Sequence, residues 1–251
     1  AHKQQLQFKY GLPENLVISL GEREEIISFS PHEVRLHLGR EDIDSSGFLI
    51  RYPGNGASTI RLDSPPVNGD GKAQKYLRRA GEPNSLFNPG VDLAQAGELW
   101  IVEGELKSLC GHAQGLPIVG LSGVFNWRTS GPEASLLAEG ERLSDEEALL
   151  QELAQVSWAG KKINLLYDSD ITPGHKAYDA FPRLAEQLYR LKAGEVRILS
   201  LPPGEKGQKV GLDDFILARG PAQALQGLEA MKGRKEPYLP IRAGAQAYAE
   251  R

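Results

Sequence analysis

The chain has 251 residues, of which 40% are hydrophobic and 25% are charged, and its formal net charge is −4 at pH 7. This composition is that of an ordinary globular protein with enough core for one large domain or two small ones. The mildly negative charge excludes a surface that is basic throughout, although it leaves room for a local basic patch.

Cysteine content and the two chain ends narrow the class of protein further. The single cysteine, Cys110, excludes an intramolecular disulfide framework and a cysteine-based zinc finger, and it indicates a reducing cytoplasm. No segment reaches the roughly 20 apolar residues of a membrane-spanning helix, and no signal peptide is visible. The sequence begins at Ala1 and not at methionine, so we expect a piece of a longer polypeptide.

Residues 1–96 are predicted to form a small α+β subdomain with many turns. The runs EEIISF, GFLIRY and STIRL carry β-branched residues with partial alternation, which is typical of strands. Turn-forming sequences such as YPGNGAS, DSPPVNGDGK and AGEPNSLFNPG separate them. We therefore expect short strands joined by tight turns.

Residues 97–220 have the pattern of an α/β domain, a parallel sheet flanked by helices. Four short apolar runs end in glycine or in acidic residues, as parallel strands that feed loops do: ELWIVEG, LPIVGLSG, KKINLLYDSD and EVRILSLPPG. The segment ELKSLCGHAQG is predicted to be a helix that stops at Gly115. A second, crossover helix is predicted from apolar residues at helical spacing, namely Ala177, Phe181, Leu184, Leu188 and Leu191. Residues 221–251 are predicted to add a helical and irregular tail.

Acidic residues follow three of these predicted strands. Glu103 ends the first run, Asp168 and Asp170 follow INLLY, and Asp213 and Asp214 lie in KVGLDDF after the fourth run. Ligands of open parallel sheets bind beyond the carboxyl ends of the strands. Gathered carboxylates repel one another and are costly to desolvate, unless a hard cation such as Mg²⁺ or Mn²⁺ holds them. The sequence therefore predicts a divalent metal site formed by these five residues.

Each acidic residue also has a simpler explanation. Glu103 could be a solvated strand end, and Asp170 before ITPG could begin a turn. Asp214 could cap a helix that begins at DDFIL. The occurrence of all of them in this order is what favours a shared site.

Four segments, EGELKS, GVFNWR, YDSD and GLDDF, resemble the TOPRIM domain of bacterial replicative primases, topoisomerases and some nucleases. The similarity is greatest to the TOPRIM-like domain of phage and plasmid replication proteins and covers roughly residues 97–220. The resemblance implies a TOPRIM-like sheet in which Glu103 is the conserved glutamate and Asp168 and Asp170 bind Mg²⁺. Asp213 would correspond to a further acidic residue of the primases, although GLDDF departs from their lysine- and aspartate-rich version.

Glu105 and Lys107 also match this subfamily. The alternative for both is a solvated first helical turn, where an acid also suits the helix dipole.

A basic segment precedes the TOPRIM-like part. GDGKAQKYLRRAGEPNSLFNPG resembles the segment that precedes the TOPRIM domain in bacterial primases, where basic residues face template and nucleotide. Lys72, Lys75, Arg78 and Arg79 would neutralise phosphates, and Tyr76 would stack on a base. The alternative is a solvated turn whose tyrosine packs inward.

Three more arginines are candidates for the same surface. Arg51 and Arg61 lie on predicted strands and could face the same way. Arg128 follows Trp127, so it could reach a phosphate or merely stack on the indole.

The favoured hypothesis is a primase-type nucleotidyltransferase of plasmid or phage replication that makes primers on single-stranded DNA. Mg²⁺ at Glu103, Asp168 and Asp170 would grip a nucleoside triphosphate, and Glu103 could also be the general base. The expected partners are single-stranded DNA, nucleoside triphosphates and a replicative helicase in the same or another chain. No GxxxxGK[ST] motif is present, so no helicase motor lies in this sequence. The alternatives are a TOPRIM nuclease and a nucleic-acid-binding module without turnover.

Overall fold

The computed structural model describes residues 2–67, 69, 71–129 and 149–239. Within these ranges the chain forms one antiparallel sheet and one mostly parallel sheet, with helices packed against both. In this part of the chain, no helix is both long enough and apolar enough to cross a membrane.

The first sheet has four antiparallel strands in chain order. They are β1 (Ile26–Phe29), β2 (Gly47–Arg51), β3 (Ser58–Leu62) and β4 (Tyr76–Leu77). Ile27, Leu49 and Ile60 are paired across the first three strands, and residues directly opposite one another lie on the same face of a sheet. The three strands predicted from EEIISF, GFLIRY and STIRL are confirmed.

Three helices accompany this sheet, α1 (His2–Tyr10), α2 (Glu14–Glu22) and α3 (Pro31–Leu38). Helix α3 begins at a capping box, in which Ser30 N–H donates to the Glu33 carboxylate (2.7 Å) and Glu33 N–H donates to the Ser30 hydroxyl (3.4 Å). Val34 and Leu38 of α3 pack on the face of the sheet that holds Leu49. The opposite face of β2 is buried as well, so this strand has apolar residues on both sides.

The second sheet has the strand order β5-β7-β6-β8-β9. Its strands are β5 (Leu86–Phe87), β6 (Glu98–Glu103), β7 (Ile118–Leu121), β8 (Lys162–Tyr167) and β9 (Glu195–Ser200). Strands β6 to β9 are parallel, and β5 pairs antiparallel with β7 at one edge. The predicted parallel sheet flanked by helices is confirmed.

The remaining helices pack around the second sheet. They are α4 (Glu105–Ala113), α5 (Gln151–Ala154), α6 (Ala180–Arg190), α7 (Leu212–Arg219) and α8 (Pro221–Arg234). Helix α6 is the predicted crossover helix, and its Phe181 ring stacks on Tyr167 of β8 at 4.2 Å between centroids. Helix α8 is the helix predicted for the tail, whose residues 240–251 lie outside the described part.

Two cores lie on opposite faces of the second sheet. Leu99 and Ile101 of β6 belong to the core beneath α6. Trp100 and Val102 belong to the other core, which also takes apolar residues of α4, α7 and α8. This division follows from the geometry of a strand, because successive side chains point to opposite faces.

The second of these cores also joins the two sheets. It contains Tyr10 of α1, Val17 of α2 and Phe48 of β2 together with Trp100 of β6. Strand β5 lies before residue 96 in the chain, yet it pairs with the second sheet. The predicted domain boundary after residue 96 therefore does not coincide with the division between the sheets and stays a prediction.

Candidate functional site

The carboxyl ends of the parallel strands bring the predicted acidic residues to one edge of the second sheet. Glu103 is the last residue of β6, and Asp168 directly follows β8, the parallel neighbour of β6. Asp213 lies in the first turn of α7. Gly104 connects β6 to α4 with φ 105°, a conformation that side chains disfavour, so the sharp turn after Glu103 depends on a glycine.

A pocket of about 480 Å³ lies at this edge and reaches to the first sheet. One wall is acidic and is formed by Glu103, Asp168, Asp213 and Asp214. The part of the lining that comes from α1 and the first sheet, the basic wall, carries Lys9, Tyr10, Arg61, Lys75 and Tyr76, and Glu105 of α4 lines the pocket as well. Lys107 of α4 and Lys209, in the loop before α7, lie among the acidic residues.

The two aspartates of YDSD are held by lysine side chains. Lys107 Nζ lies 2.6 Å from Asp168 Oδ2, and Lys209 Nζ lies 3.0 Å from the same oxygen. Lys209 Nζ also lies 3.1 Å from Asp170 Oδ2. Burial lowers the pKa of Lys209, but the two carboxylates outweigh it and leave that pKa raised. The ammonium groups therefore stabilise the charge of Asp168, which is only 4% exposed.

Two further acids of the wall, Glu103 and Asp213, are ionised less readily than ordinary carboxyl groups. Burial, and then the charges of Asp168 and Asp170, raise the pKa of Glu103 against the opposing effect of Lys107. Burial also raises the pKa of Asp213. Both shifts have the same physical cause, because a low-dielectric surrounding disfavours the charged form of a carboxyl group.

Asp213 has an oxygen without a hydrogen-bond partner among the described residues. Its side chain is 8% exposed, and Oδ1 makes no hydrogen bond to the described residues. A Cβ atom placed on Gly211 would lie 2.7 Å from this oxygen and 3.6 Å from Asp168 Oδ1, so both oxygens border the space beside Gly211. Buried polar atoms nearly always have a partner, and this oxygen is therefore available to a group that enters the pocket.

Glu105 and Asp214 have structural partners. Glu105 is 2% exposed and accepts hydrogen bonds from the hydroxyl groups of Tyr52 and Thr59. The alternative of a solvated helical turn is therefore wrong for Glu105. The Asp214 carboxylate accepts from Gly211 N–H at 3.1 Å, so Asp214 caps α7 while it lines the pocket.

Only part of the predicted basic segment reaches the pocket. Lys75 and Tyr76 line it, whereas Lys72 and Arg79 are exposed outside its lining. Arg78 lies over the Tyr52 ring, 5.6 Å from its centroid, and likewise does not line the pocket.

Of the three further arginine candidates, Arg61 reaches the pocket, and Arg51 and Arg128 have other partners. Arg61 lines the pocket and donates from Nε to the Tyr10 hydroxyl at 2.5 Å. Arg51 instead pairs with Glu24 at 3.1 Å. Arg128 lies over the Trp127 ring at 5.8 Å from the centroid, which is the stacking alternative considered for it.

Three residues of the site were not predicted. Lys9 and Tyr10 belong to a helix far away in sequence from the acidic motifs, and no local pattern relates them to the pocket. Lys209 had a signal, because it stands four residues before Asp213 in the segment KVGLDDF. Asp170, which was predicted, is held at the site through Lys209 but does not line the pocket.

No three His, Cys, Asp or Glu side chains of the described residues are arranged to hold a metal ion. The five predicted ligands thus include four carboxylates on one pocket wall and a fifth beside it, with lysines between them. The arrangement as it stands is a set of ion pairs and not a ready coordination sphere.

Comparison with known protein families gives a match over about half of the chain. A family model described as Domain of unknown function (DUF3854) matches residues 94–223. A search of curated protein sequences finds no match.

Three solved structures are similar to the chain. A DNA primase domain from Pseudomonas aeruginosa is 18% identical, with a TM-score of 0.52 over 91% of this chain and 70% of that one. A DnaG primase catalytic domain bound to single-stranded DNA is 14% identical, with a TM-score of 0.52 over 93% and 74%. The zinc-binding and RNA polymerase domains of the Aquifex aeolicus primase are 17% identical, with a TM-score of 0.49 over 90% and 47%.

The chain spans about half the length of the Aquifex aeolicus structure. The likeness to the other two structures establishes the fold, a mixed α/β fold with a largely parallel sheet flanked by helices, as in primase domains.

Proposed function

The chain belongs to the family described as Domain of unknown function (DUF3854), and we propose that it is the core of a primase-type nucleotidyltransferase. It would use nucleoside triphosphates and Mg²⁺ or Mn²⁺ to make primers on single-stranded DNA. The second sheet would be a TOPRIM domain, and the setting would be plasmid or phage replication with a helicase in the same or another chain. The fold shared with primase domains supports this proposal.

The observation that carries the proposal is the presence of both signs of charge in one pocket. Lys9, Arg61 and Lys75 line the same cavity as the carboxylates of the acidic wall. Burial, and then the charges of Arg61 and Lys75, lower the pKa of Lys9, so an anion placed there would relieve repulsion among the three cations. A triphosphate with a divalent cation satisfies both walls, because its oxygens suit the cationic wall and its metal suits the carboxylates.

The donors present fit Mg²⁺ in kind. They are carboxylate oxygens, which hard cations prefer, and Asp213 Oδ1 is buried without a partner among the described residues. Asp168 and Asp170 would hold the ion, with Glu103 and Asp213 beside it. Bound there, Mg²⁺ would neutralise phosphate oxygens and stabilise the leaving pyrophosphate.

Protein groups would perform the remaining tasks. Glu103 would accept the proton of the attacking 3′ hydroxyl, because a carboxylate with a raised pKa is a stronger base than an ordinary one. Arg61, Lys75 and Lys107 would bind phosphate oxygens and so orient the triphosphate. Tyr76 lines the pocket and is 40% exposed, so it offers a ring for stacking on a base.

Primer synthesis by an Asp168→Asn variant tests the proposal. We expect the variant to lose about 100-fold or more of the Mg²⁺-dependent extension of single-stranded DNA templates, since it removes the central carboxylate charge. Asp42→Asn is the matched control, because Asp42 is exposed on the first half of the chain and pairs only with Arg40 among the described residues. Wild-type extension by Asp168→Asn would refute the mechanism, and cut template in place of extended primer would identify a nuclease.

One observation favours a second candidate, a nucleic-acid-binding module without turnover. The lysine ion pairs with Asp168 and Asp170 neutralise the acidic wall without any metal. Under this alternative the wild-type chain would shift single-stranded DNA on a gel, while no product formed with Mg²⁺ or Mn²⁺ and nucleotides.

A further inference from the structure

We propose that Lys209 is a displaceable counter-ion of the candidate site. Its ammonium group would hold Asp168 and Asp170 until a divalent cation binds, and would then turn to a phosphate oxygen of the nucleotide. This inference rests on the proposed function in two respects, since it assumes that the two aspartates bind the metal and that a nucleoside triphosphate enters the pocket.

The contact geometry makes Lys209 and a metal ion competitors for the Oδ2 atoms of Asp168 and Asp170. Lys107 Nζ and Lys209 Nζ lie 2.6 Å and 3.0 Å from one and the same oxygen, Asp168 Oδ2. A carboxylate oxygen has two lone pairs, so two ammonium donors use its full capacity. Lys209 also holds Asp170 Oδ2 at 3.1 Å. A cation that is to bind both aspartates through these oxygens must therefore displace a lysine.

Lys209 is the lysine that can leave. Its side chain is 54% exposed, whereas the side chain of Lys107 is 19% exposed. Carbon atoms of Lys107 lie against Gly104 and Gly211, where added Cβ atoms would be 3.8 Å and 2.8 Å away. This packing holds the Lys107 side chain in place, whereas the Lys209 side chain has solvent on one side.

The backbone beside Lys209 is fixed, so that only its side chain needs to move. Val210 N–H donates to the Ser169 hydroxyl at 2.8 Å, and Ser169 N–H donates to the Val210 carbonyl at 3.1 Å. These two hydrogen bonds attach the loop to the segment between the two aspartates. Because Lys209 also lines the pocket, a rotation of its side chain brings the ammonium group towards the space where the triphosphate is proposed to bind.

The test is calorimetric titration of the whole chain with Mn²⁺ alone, followed by Mn²⁺ with a non-hydrolysable nucleoside triphosphate. We expect Lys209→Gln to bind Mn²⁺ about fivefold more tightly than wild type, as loss of a partly exposed ion pair permits. The same variant should bind the Mn²⁺–nucleotide complex less tightly, because the phosphate contact is lost. Lys209→Arg should restore both affinities towards those of wild type.

Lys206→Gln is the matched control, since Lys206 is exposed in the same loop and its substitution removes the same charge. A Lys209→Gln affinity for Mn²⁺ equal to or weaker than that of wild type would overturn the inference while the proposed function stands. If Asp168→Asn left Mn²⁺ binding unchanged, or if no variant bound Mn²⁺, both the inference about Lys209 and the proposed function would be overturned. Thermal unfolding of each variant verifies that the chain is folded.

Discussion

At the scale of the residue, the acidic wall contains charges that the protein holds at a cost. Burial raises the pKa of Glu103 and of Asp213, so each folded carboxyl binds its proton more tightly than the unfolded one. The folded state therefore loses stability as the pH rises from the ordinary carboxyl pKa through the raised one, because the proton is released from the folded chain last. Sites that bind charged ligands commonly carry such a cost.

Glu103→Gln should consequently make the metal-free chain more stable at pH 7. The gain should shrink towards pH 4, where both the folded and the unfolded chain carry a protonated Glu103. Melting temperatures in the presence of a chelator, recorded across this pH range, measure the effect. Glu205→Gln, at an exposed loop position, should change the melting temperature little. An equal gain in both variants would show that the stabilisation comes from the change in net charge and not from the burial of Glu103.

The sequence predicted those site residues that stand at strand ends. Glu103, Asp168 and Asp170 could be found because an apolar run ending in an acid locates both the strand and its functional edge. Lys9 and Tyr10 could not be found, because only the packing of α1 against the two sheets brings them to the pocket. Lys72 and Arg79 belong to the predicted basic cluster by sequence, but their direction depends on turns that no periodic pattern describes.

At the scale of the element, Tyr52 connects strand β2 of the first sheet with helix α4 and with strand β5 of the second sheet. It follows β2, its hydroxyl donates to Glu105 of α4, and its ring lies 5.1 Å from that of Phe87 in β5 in an edge-on arrangement. Glu105 is the first residue of the helix that also carries Lys107. The pocket geometry thus depends on contacts between elements that lie more than fifty residues apart in sequence.

Tyr52→Phe should therefore destabilise the chain by about 1–3 kcal/mol, because buried Glu105 would keep only the Thr59 hydroxyl as a side-chain donor. Urea unfolding followed by far-UV circular dichroism measures the loss. Tyr178→Phe is the matched control, since it also removes a tyrosine hydroxyl but keeps the ring that stacks on Tyr167. Equal stability of Tyr52→Phe and wild type would contradict a structural role for this contact.

Elements with a clear apolar pattern were predictable from the sequence, and the two-residue strands were not. Strands β6 to β9 and helix α6 have four or more residues with a clear apolar pattern, and the sequence predicted each of them. Strands β4 and β5 have two residues each, too few for any alternation. Helix α1 buries only Leu6 and Tyr10, and such a narrow stripe is a weak helical signal.

At the scale of the whole molecule, the two sheets share one apolar core. Ile50 of β2 and Trp100 of β6 both belong to it, although a domain boundary after residue 96 would separate them. A shared core makes the unfolding of each part depend on the other, as is usual within one cooperative unit. The charged pocket lies between the same parts, so its two walls would be held together by this core.

Ile50→Val tests this coupling, because it removes one buried methylene group from the first sheet. We expect a loss of about 0.5–1.5 kcal/mol, seen equally by far-UV circular dichroism and by tryptophan fluorescence. All three tryptophans, Trp100, Trp127 and Trp158, lie after residue 96, in the part of the chain that forms most of the second sheet, so their fluorescence follows the unfolding of that sheet. The exposed Ile18→Val substitution should shift neither signal. If Ile50→Val moved the dichroism transition and left the fluorescence midpoint in place, the two sheets would unfold independently, and the pocket between them would open without loss of either sheet.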